Sequence, residues 1–208
     1  MRLDEARLYL VAPARLAAGE LAALVPELAA AGVDVVQLRE KELEAGDLLR
    51  LGEPIAEACR ASGVPFVVND RPDVALALGA DGVHLGQNDL PVAVARRILP
   101  DALIGLSTHS PTEAEAATRA GVDYFAVGPV YETPTKPGRP AAGLELVAQV
   151  ASLPTELPWF AIGGIDLSTV GEVLAAGATR IVVVRAITEA ADPAAAAAAL
   201  RRALEAAR

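Results

Sequence analysis

The chain is poor in the residues that build disulfides, zinc sites and aromatic cores. A single cysteine, Cys59, excludes an internal disulfide framework and a cysteine-based zinc site; it lies in a helical stretch, where it reads as inert packing. Aromatics make up only 3% of the residues, so the core is expected to be aliphatic, drawn from an apolar fraction of 53%. Basic charge is also scarce. The net charge of −9 argues against a general nucleic-acid surface, which needs a basic face, although cations can still be focused locally. No apolar run reaches the roughly 20 residues of a membrane span. The stretch Met1-Arg2-Leu3-Asp4-Glu5 carries acid before any apolar stretch and does not read as a secretory signal. The expectation is one cytoplasmic domain over residues 1–208, large enough to bury a substantial core, with no nucleic-acid or membrane partner. Its oligomeric state stays open, a homo-oligomer included.

Against these absences stands a regular series of apolar runs. Residues 8–11, 33–39, 65–69, 82–85, 103–107, 124–128, 159–163 and 180–184 read as strands. Segments of helical spacing alternate with them at 21–31, 47–62, 73–78, 91–99, 112–120, 144–152 and 169–176, and 193–207 follows the last strand. Near-continuous Val, Ile and Leu signals a sheet buried on both faces, and strict β–α alternation signals parallel pairing. A weak repeat agrees. Ala31-Gly32-Val33-Asp34, Gly79-Ala80-Asp81-Gly82, Ala120-Gly121-Val122-Asp123 and Ala176-Gly177-Ala178-Thr179 each place glycine where a helix ends before a strand. Eight such units favour a closed (β/α)8 barrel of α/β class, a single TIM barrel, over an open doubly wound sheet. The first turn also lacks the Gly-x-Gly-x-x-Gly of a dinucleotide site.

The runs stop in polar groups, and in a barrel these strand ends meet at one mouth. Alternation puts Val33, Val35, Gln37, Arg39 and Lys41 on one face, apolar below and cationic above; a solvated charge cluster at a loop start is the plainer reading. Asp70 and Asp89 follow neighbouring strands. Each could cap a helix, since Arg71-Pro72 and Leu90-Pro91 come next, but the two together beside a cationic strand end suit Mg²⁺. Thr133-Pro134-Thr135-Lys136 opens a long loop whose hydroxyls and amine suit oxyanions, or which is only a surface loop. Gly163-Gly164 and Val184-Arg185 end the seventh and eighth strands, the usual phosphate corner of this barrel, though a bare glycine pair also makes a tight turn. Of the two histidines, His84 reads as structural within its strand and His109 as a loop or capping residue.

Together these residues resemble the thiamine-phosphate synthase family over almost the whole chain. The resemblance rests on Gln37-Leu38-Arg39-Glu40-Lys41, Asn69-Asp70, the run from Asp81 through Gly86-Gln87-Asn88-Asp89-Leu90, Gly128-Pro129-Val130-Tyr131, Thr133-x-Thr135-Lys136 and Ala161-Ile162-Gly163-Gly164-Ile165. It implies an enzyme that joins hydroxymethylpyrimidine diphosphate to a hydroxyethylthiazole phosphate, releasing pyrophosphate. By that resemblance Gln37, Leu38, Arg39, Glu40, Lys41, Asn69, Ser107 and Lys136 bind the pyrimidine diphosphate. Arg39, Lys41, Ser107 and Lys136 act on the leaving group, and Asp70 and Asp89 hold Mg²⁺. Thr133, Pro134, Thr135 and Gly164, with Val184 and Arg185, hold the thiazole phosphate. Arg185 departs from the family, which commonly has serine there; it could grip phosphate or pair with an acid such as Glu189. A sister group of thiazole tautomerases can carry histidine where this chain has Pro129 and can lose parts of the charged set. A non-catalytic regulator that binds a thiamine precursor is a further alternative, but it has no need of two aspartates and Lys136.

Overall fold

Apolar runs that are covered on both faces need a layer outside and a filling inside, and the chain supplies both. The protein is described by a computed structural model over residues 3–133 and 140–207. Strand β1 (Leu8–Ala12) is followed by a small antiparallel hairpin, β2 (Arg15–Leu16) and β3 (Gly19–Glu20). Then come β4 (Val35–Leu38), β5 (Phe66–Asn69), β6 (Gly82–Leu85), β7 (Leu103–Thr108), β8 (Tyr124–Val127), β9 (Trp159–Ile162) and β10 (Ile181–Val183). All except the hairpin form a closed parallel barrel in the order β1-β10-β9-β8-β7-β6-β5-β4. Closure is made by Leu8 opposite Ile181 on one side of β1 and Tyr9 opposite Val35 on the other. This is the single (β/α)8 barrel that the alternation of runs implied.

The outer layer is built by helices α1 (Leu21–Ala30), α2 (Ala45–Ser62), α3 (Pro72–Leu78), α4 (Val92–Ile98), α5 (Pro111–Ala117), α6 (Gly143–Ala151), α7 (Val170–Ala175) and α9 (Pro193–Ala206). A short α8 (Arg185–Thr188) sits between β10 and α9. Period-2 alternation divides the apolar residues between two cores. Leu8 and Leu10 of β1 face the helices with Val36 and Leu38 of β4. Tyr9 and Val11 face inward, where Val35, Val67, Leu103, Tyr124, Phe160 and Val182 complete the barrel's filling. No helix among the described residues is long and apolar enough to cross a membrane.

The glycine repeat has a structural cause. Gly32, Gly79, Gly121 and Gly177 all lie at positive φ, which L side chains disfavour. In the first three units the aspartate two positions on reaches back to the start of a neighbouring strand. Asp34 Oδ2 accepts from the Arg7 and Leu8 amides at 2.7 and 2.9 Å. Asp81 accepts from Phe66 N at 2.8 Å and Asp123 from Ile104 N at 2.7 Å. These carboxylates satisfy strand-initial donors at the end of the barrel opposite the mouth. Asp34 also receives Arg201 at 2.7 Å. Asp34→Ala therefore leaves two backbone donors without their acceptor and the Arg201 guanidinium with Glu205 alone, and it is expected to cost about 2–4 kcal/mol in urea unfolding. An unchanged midpoint would assign those donors to water.

Candidate active site

The mouth opens where the polar residues stop the strands. A cavity of about 280 Å³ lies there, lined among others by Gln37, Arg39, Asn69, Ser107, Gly164 and Arg185. These residues come from several strands or the loops just after them, so barrel closure brings them together. Thr133 and Val184 line the same space. Pro134, Thr135 and Lys136 lie outside the described residues.

Within the stretch from Gln37 to Lys41, Gln37 and Arg39 line the cavity, whereas Lys41 is exposed outside that lining. Gln37 is buried and its Nε2 donates to Tyr9 Oη at 2.7 Å. Arg39 is half-buried at the rim. Burial pulls its guanidinium below the ordinary arginine value, while the charges of Asp70 and Glu40 push it back up. Two members of the stretch have other partners. Leu38 is buried in the outer core, with its side chain toward Gly52 of α2, so no substrate can touch that side chain. Glu40 Oε1 accepts from Ala14 N at 2.8 Å and so braces the loop after β1. The period of two that puts Arg39 at the mouth takes Leu38 away from it.

Asp70 and Asp89 do not cap the helices that follow them: Arg71 and Pro91 hold the N-cap positions of α3 and α4. Asp70 adopts φ 61°, the one positive φ among the described non-glycine residues, a conformation that costs free energy and is frequent at functional sites. Its carboxyl is raised above the usual aspartate range, first by burial and then by hydrogen bonding and charge from Asp89, with Lys41 opposing. The Lys41 Nζ lies 3.5 Å from Asp70 Oδ2. Asp89 Oδ2 accepts from Gly86 N at 2.6 Å, and a Cβ on Gly86 would crowd that oxygen. No group of three or more metal-ligating side chains forms among the described residues. Two neighbouring carboxylates, with that of Asp70 raised by burial and by Asp89, nevertheless suit Mg²⁺, which takes one or two carboxylates and completes its shell with water and phosphate.

Gly163 and Gly164 have φ of 108° and 67°. Side chains there would strike Pro129 and Tyr131, whose segment runs alongside through Val130 N to Ile162 O and Tyr131 N to Gly163 O at 2.8 and 2.9 Å. The pair is thus required by the fold as well as suited to an anion. Arg185 opens α8 rather than ending β10. It lies 3.9 Å from Glu189, and both side chains line the cavity. The acid pairing expected for Arg185 is thus present as a loose contact at the cavity wall.

Sequence reasoning passed over Tyr9 and Tyr124 and gave His84 a structural place without its partners. Tyr9, Tyr124 and His84 read as strand filler, yet they connect Gln37 to Ser107 through buried hydrogen bonds. The available signal was that this chain has only three tyrosines, and two of them sit at inward positions of barrel strands. His109 also reaches the cavity wall, held by Gly128 O and, through its amide, by Glu113.

Comparison with known proteins identifies related chains. The family model described as thiamine monophosphate synthase matches residues 8–187. A thiamine-phosphate synthase of Thermobifida fusca (strain YX) is 58% identical, with 99% of this chain and 95% of that protein covered. One from Streptomyces avermitilis is also 58% identical, with coverage of 94% and 92%. The solved thiamine phosphate pyrophosphorylase of Pyrococcus furiosus superposes with a TM-score of 0.88 at 33% identity, covering 98% of both chains.

Proposed function

Since the chain belongs to the thiamine monophosphate synthase family, we propose that it forms thiamine phosphate by joining hydroxymethylpyrimidine diphosphate to hydroxyethylthiazole phosphate, or to its carboxylate with loss of CO2. The observation that carries this reading is the charged rim: the Asp70–Asp89 pair with Lys41 and half-buried Arg39, beside a cavity lined by Gln37 and Ser107.

The chemistry follows from that arrangement. The aminopyrimidine pushes electron density toward its methylene carbon, and the carbon–oxygen bond to diphosphate breaks with its electron pair on the departing oxygen. Arg39, Lys41 and, by resemblance, Lys136 bring positive charge to where that negative charge grows. Ser107 adds a hydroxyl, and Gln37 and Asn69 orient the pyrimidine. Asp70 and Asp89 would hold Mg²⁺, which when bound neutralises charge on the leaving pyrophosphate. Backbone and side chains around Thr133, Gly164 and Val184 hold the thiazole phosphate, so that its ring nitrogen faces the methylene carbon and forms the new bond. That nitrogen carries no proton to lose, so no general base is needed. Positioning replaces a chance encounter. A cytoplasmic setting fits soluble phosphorylated substrates of this kind.

The test is a coupling assay with purified protein, Mg²⁺ and both substrates. Thiamine phosphate and pyrophosphate are expected in equal amounts. Conversion of the thiazole carboxylate alone would make the protein a tautomerase, and binding without turnover of either would make it a regulator. Arg185 supplies a finer test. Its guanidinium can hold phosphate oxygens in bidentate fashion once it leaves the loose contact with Glu189. Arg185→Ser is expected to raise KM for the thiazole phosphate about tenfold and leave that of the pyrimidine diphosphate nearly unchanged. Unchanged kinetics for both would assign the phosphate to backbone groups alone.

A further inference from the structure

Five side chains from five strands form one unbroken file of hydrogen bonds through the barrel's interior. Gln37 Nε2 donates to Tyr9 Oη at 2.7 Å, Tyr9 Oη meets Tyr124 Oη at 2.8 Å, and Tyr124 Oη meets His84 Nδ1 at 3.1 Å. His84 Nε2 then meets Ser107 Oγ at 2.9 Å. All five side chains are buried. Phe160 packs edge-on against both phenol rings at 5.5 and 5.8 Å, which fixes them in place. Space is reserved for the file as well: a Cβ on Gly105 would collide with the Tyr124 ring and with His84 Nδ1.

Such a file has a direction. Each hydroxyl has one proton to give, and a neutral imidazole gives one proton and accepts one. With the Gln37 amide donating, Tyr9 gives its proton to Tyr124 and Tyr124 gives its own to His84 Nδ1. The ring's proton then sits on Nε2 and is given to Ser107 Oγ. Tyr9 and His84 also line the cavity, but their polar atoms are engaged within the file, so the groups left to meet a ligand are set at its ends: Gln37 offers Oε1 as an acceptor, and Ser107 offers its hydroxyl proton as a donor. Reversing the file would invert both ends together.

We infer that Tyr9, Tyr124 and His84 are positioning residues that hold Gln37 as an acceptor and Ser107 as a donor, so that the cavity selects a ligand with an N–H donor and an anionic oxygen on one frame. An aminopyrimidine diphosphate has both, so the inference rests on the function proposed above and specifies how the site recognises its first substrate. Burial also pushes both phenols above the ordinary tyrosine value, so they stay neutral and keep their protons in the file.

The experiment joins spectroscopy to kinetics. In ¹⁵N-histidine-labelled wild type, with the two signals assigned through His109→Asn, His84 is expected as the neutral Nε2–H tautomer. In Tyr124→Phe that preference is expected to weaken. Tyr124→Phe and Tyr9→Phe should each raise KM for the pyrimidine diphosphate about tenfold, the worth of one buried hydrogen bond, while the thiazole phosphate KM moves less than about twofold. The double variant should be no worse than either single, because one break already ends the file. An Nδ1–H or doubly protonated His84 in wild type overturns the inference and needs no variant to fold. So do unchanged kinetics, or additive losses on both substrates that follow a fall in Tm. A wild type that shows the Nε2–H tautomer but makes no thiamine phosphate would instead overturn the proposed function and keep the file's direction.

Discussion

Asp70→Asn and Asp89→Asn are each expected to lower kcat by at least about a hundredfold, with the barrel intact by circular dichroism. Asparagine keeps the size and hydrogen-bonding reach of aspartate but not its charge, so the substitution isolates the carboxylate's role with a cation. A second readout is independent of turnover. Mg²⁺ binding the folded form raises Tm by mass action, so wild type should gain Tm on Mg²⁺ titration and neither variant should. The sign of the stability effect also follows. Burial and Asp89 raise the Asp70 carboxyl above its ordinary value, so the folded protein holds that proton longer than the unfolded chain. This contribution favours folding at low pH and is lost as pH rises through the folded-state value. At neutral pH without metal, Asp70→Asn should therefore melt no lower than wild type. Full activity of both variants in chelator would sink the metal assignment.

Arg39→Ala is expected to slow turnover by about 10²–10³-fold under saturating substrates, because a charge-assisted contact to a leaving anion in a shielded site carries roughly 2–4 kcal/mol. The side chain is half-buried between Asp70 and Glu40, so its charge is screened less than that of the more exposed Lys41. The KM for the thiazole phosphate should change little, since the affected charge belongs to the other substrate. Near-normal kcat would reduce Arg39 to a brace for Glu40 and Asp70. Arg39→Lys separates charge from shape: lysine keeps the cation but not the planar fork, and recovery of only part of the rate is expected.

Much of the fold was legible because a barrel strand covered on both faces is written as an unbroken apolar run. Each expected strand overlaps an observed one, and the rim carboxylates and cations were visible because they are what ends those runs. The hairpin at Arg15–Leu16 and Gly19–Glu20 escaped notice because two-residue strands have no period to detect. The helix Arg185–Thr188 was hidden because four residues are too few to show a helical period. Leu38 and Glu40 were assigned with their neighbours as one motif, although alternation turns Leu38 toward the helices. The file from Gln37 to Ser107 was beyond reach for a different reason. Its members look like core filler one at a time, and they meet only across separations of 28, 115, 40 and 23 residues. What gives His84 a role is pairing, which a linear pattern does not record.

The carboxylates at the barrel's far end bear on how the chain assembles. Asp34, Asp81 and Asp123 tie strands that are near in sequence, with the tied groups 26, 15 and 19 residues apart. Where β10 meets β1 the tie runs the other way: Arg7 Nε donates to Thr179 O at 3.0 Å across 172 residues. Ordering a long loop costs more entropy than ordering a short one, and distant contacts form late. The early clasps can thus be completed as successive units emerge, each needing only chain already made. The Arg7 clasp waits for nearly all of it. Local ties act as stitches along a seam, and Arg7 is the fastening that turns the strip into a ring.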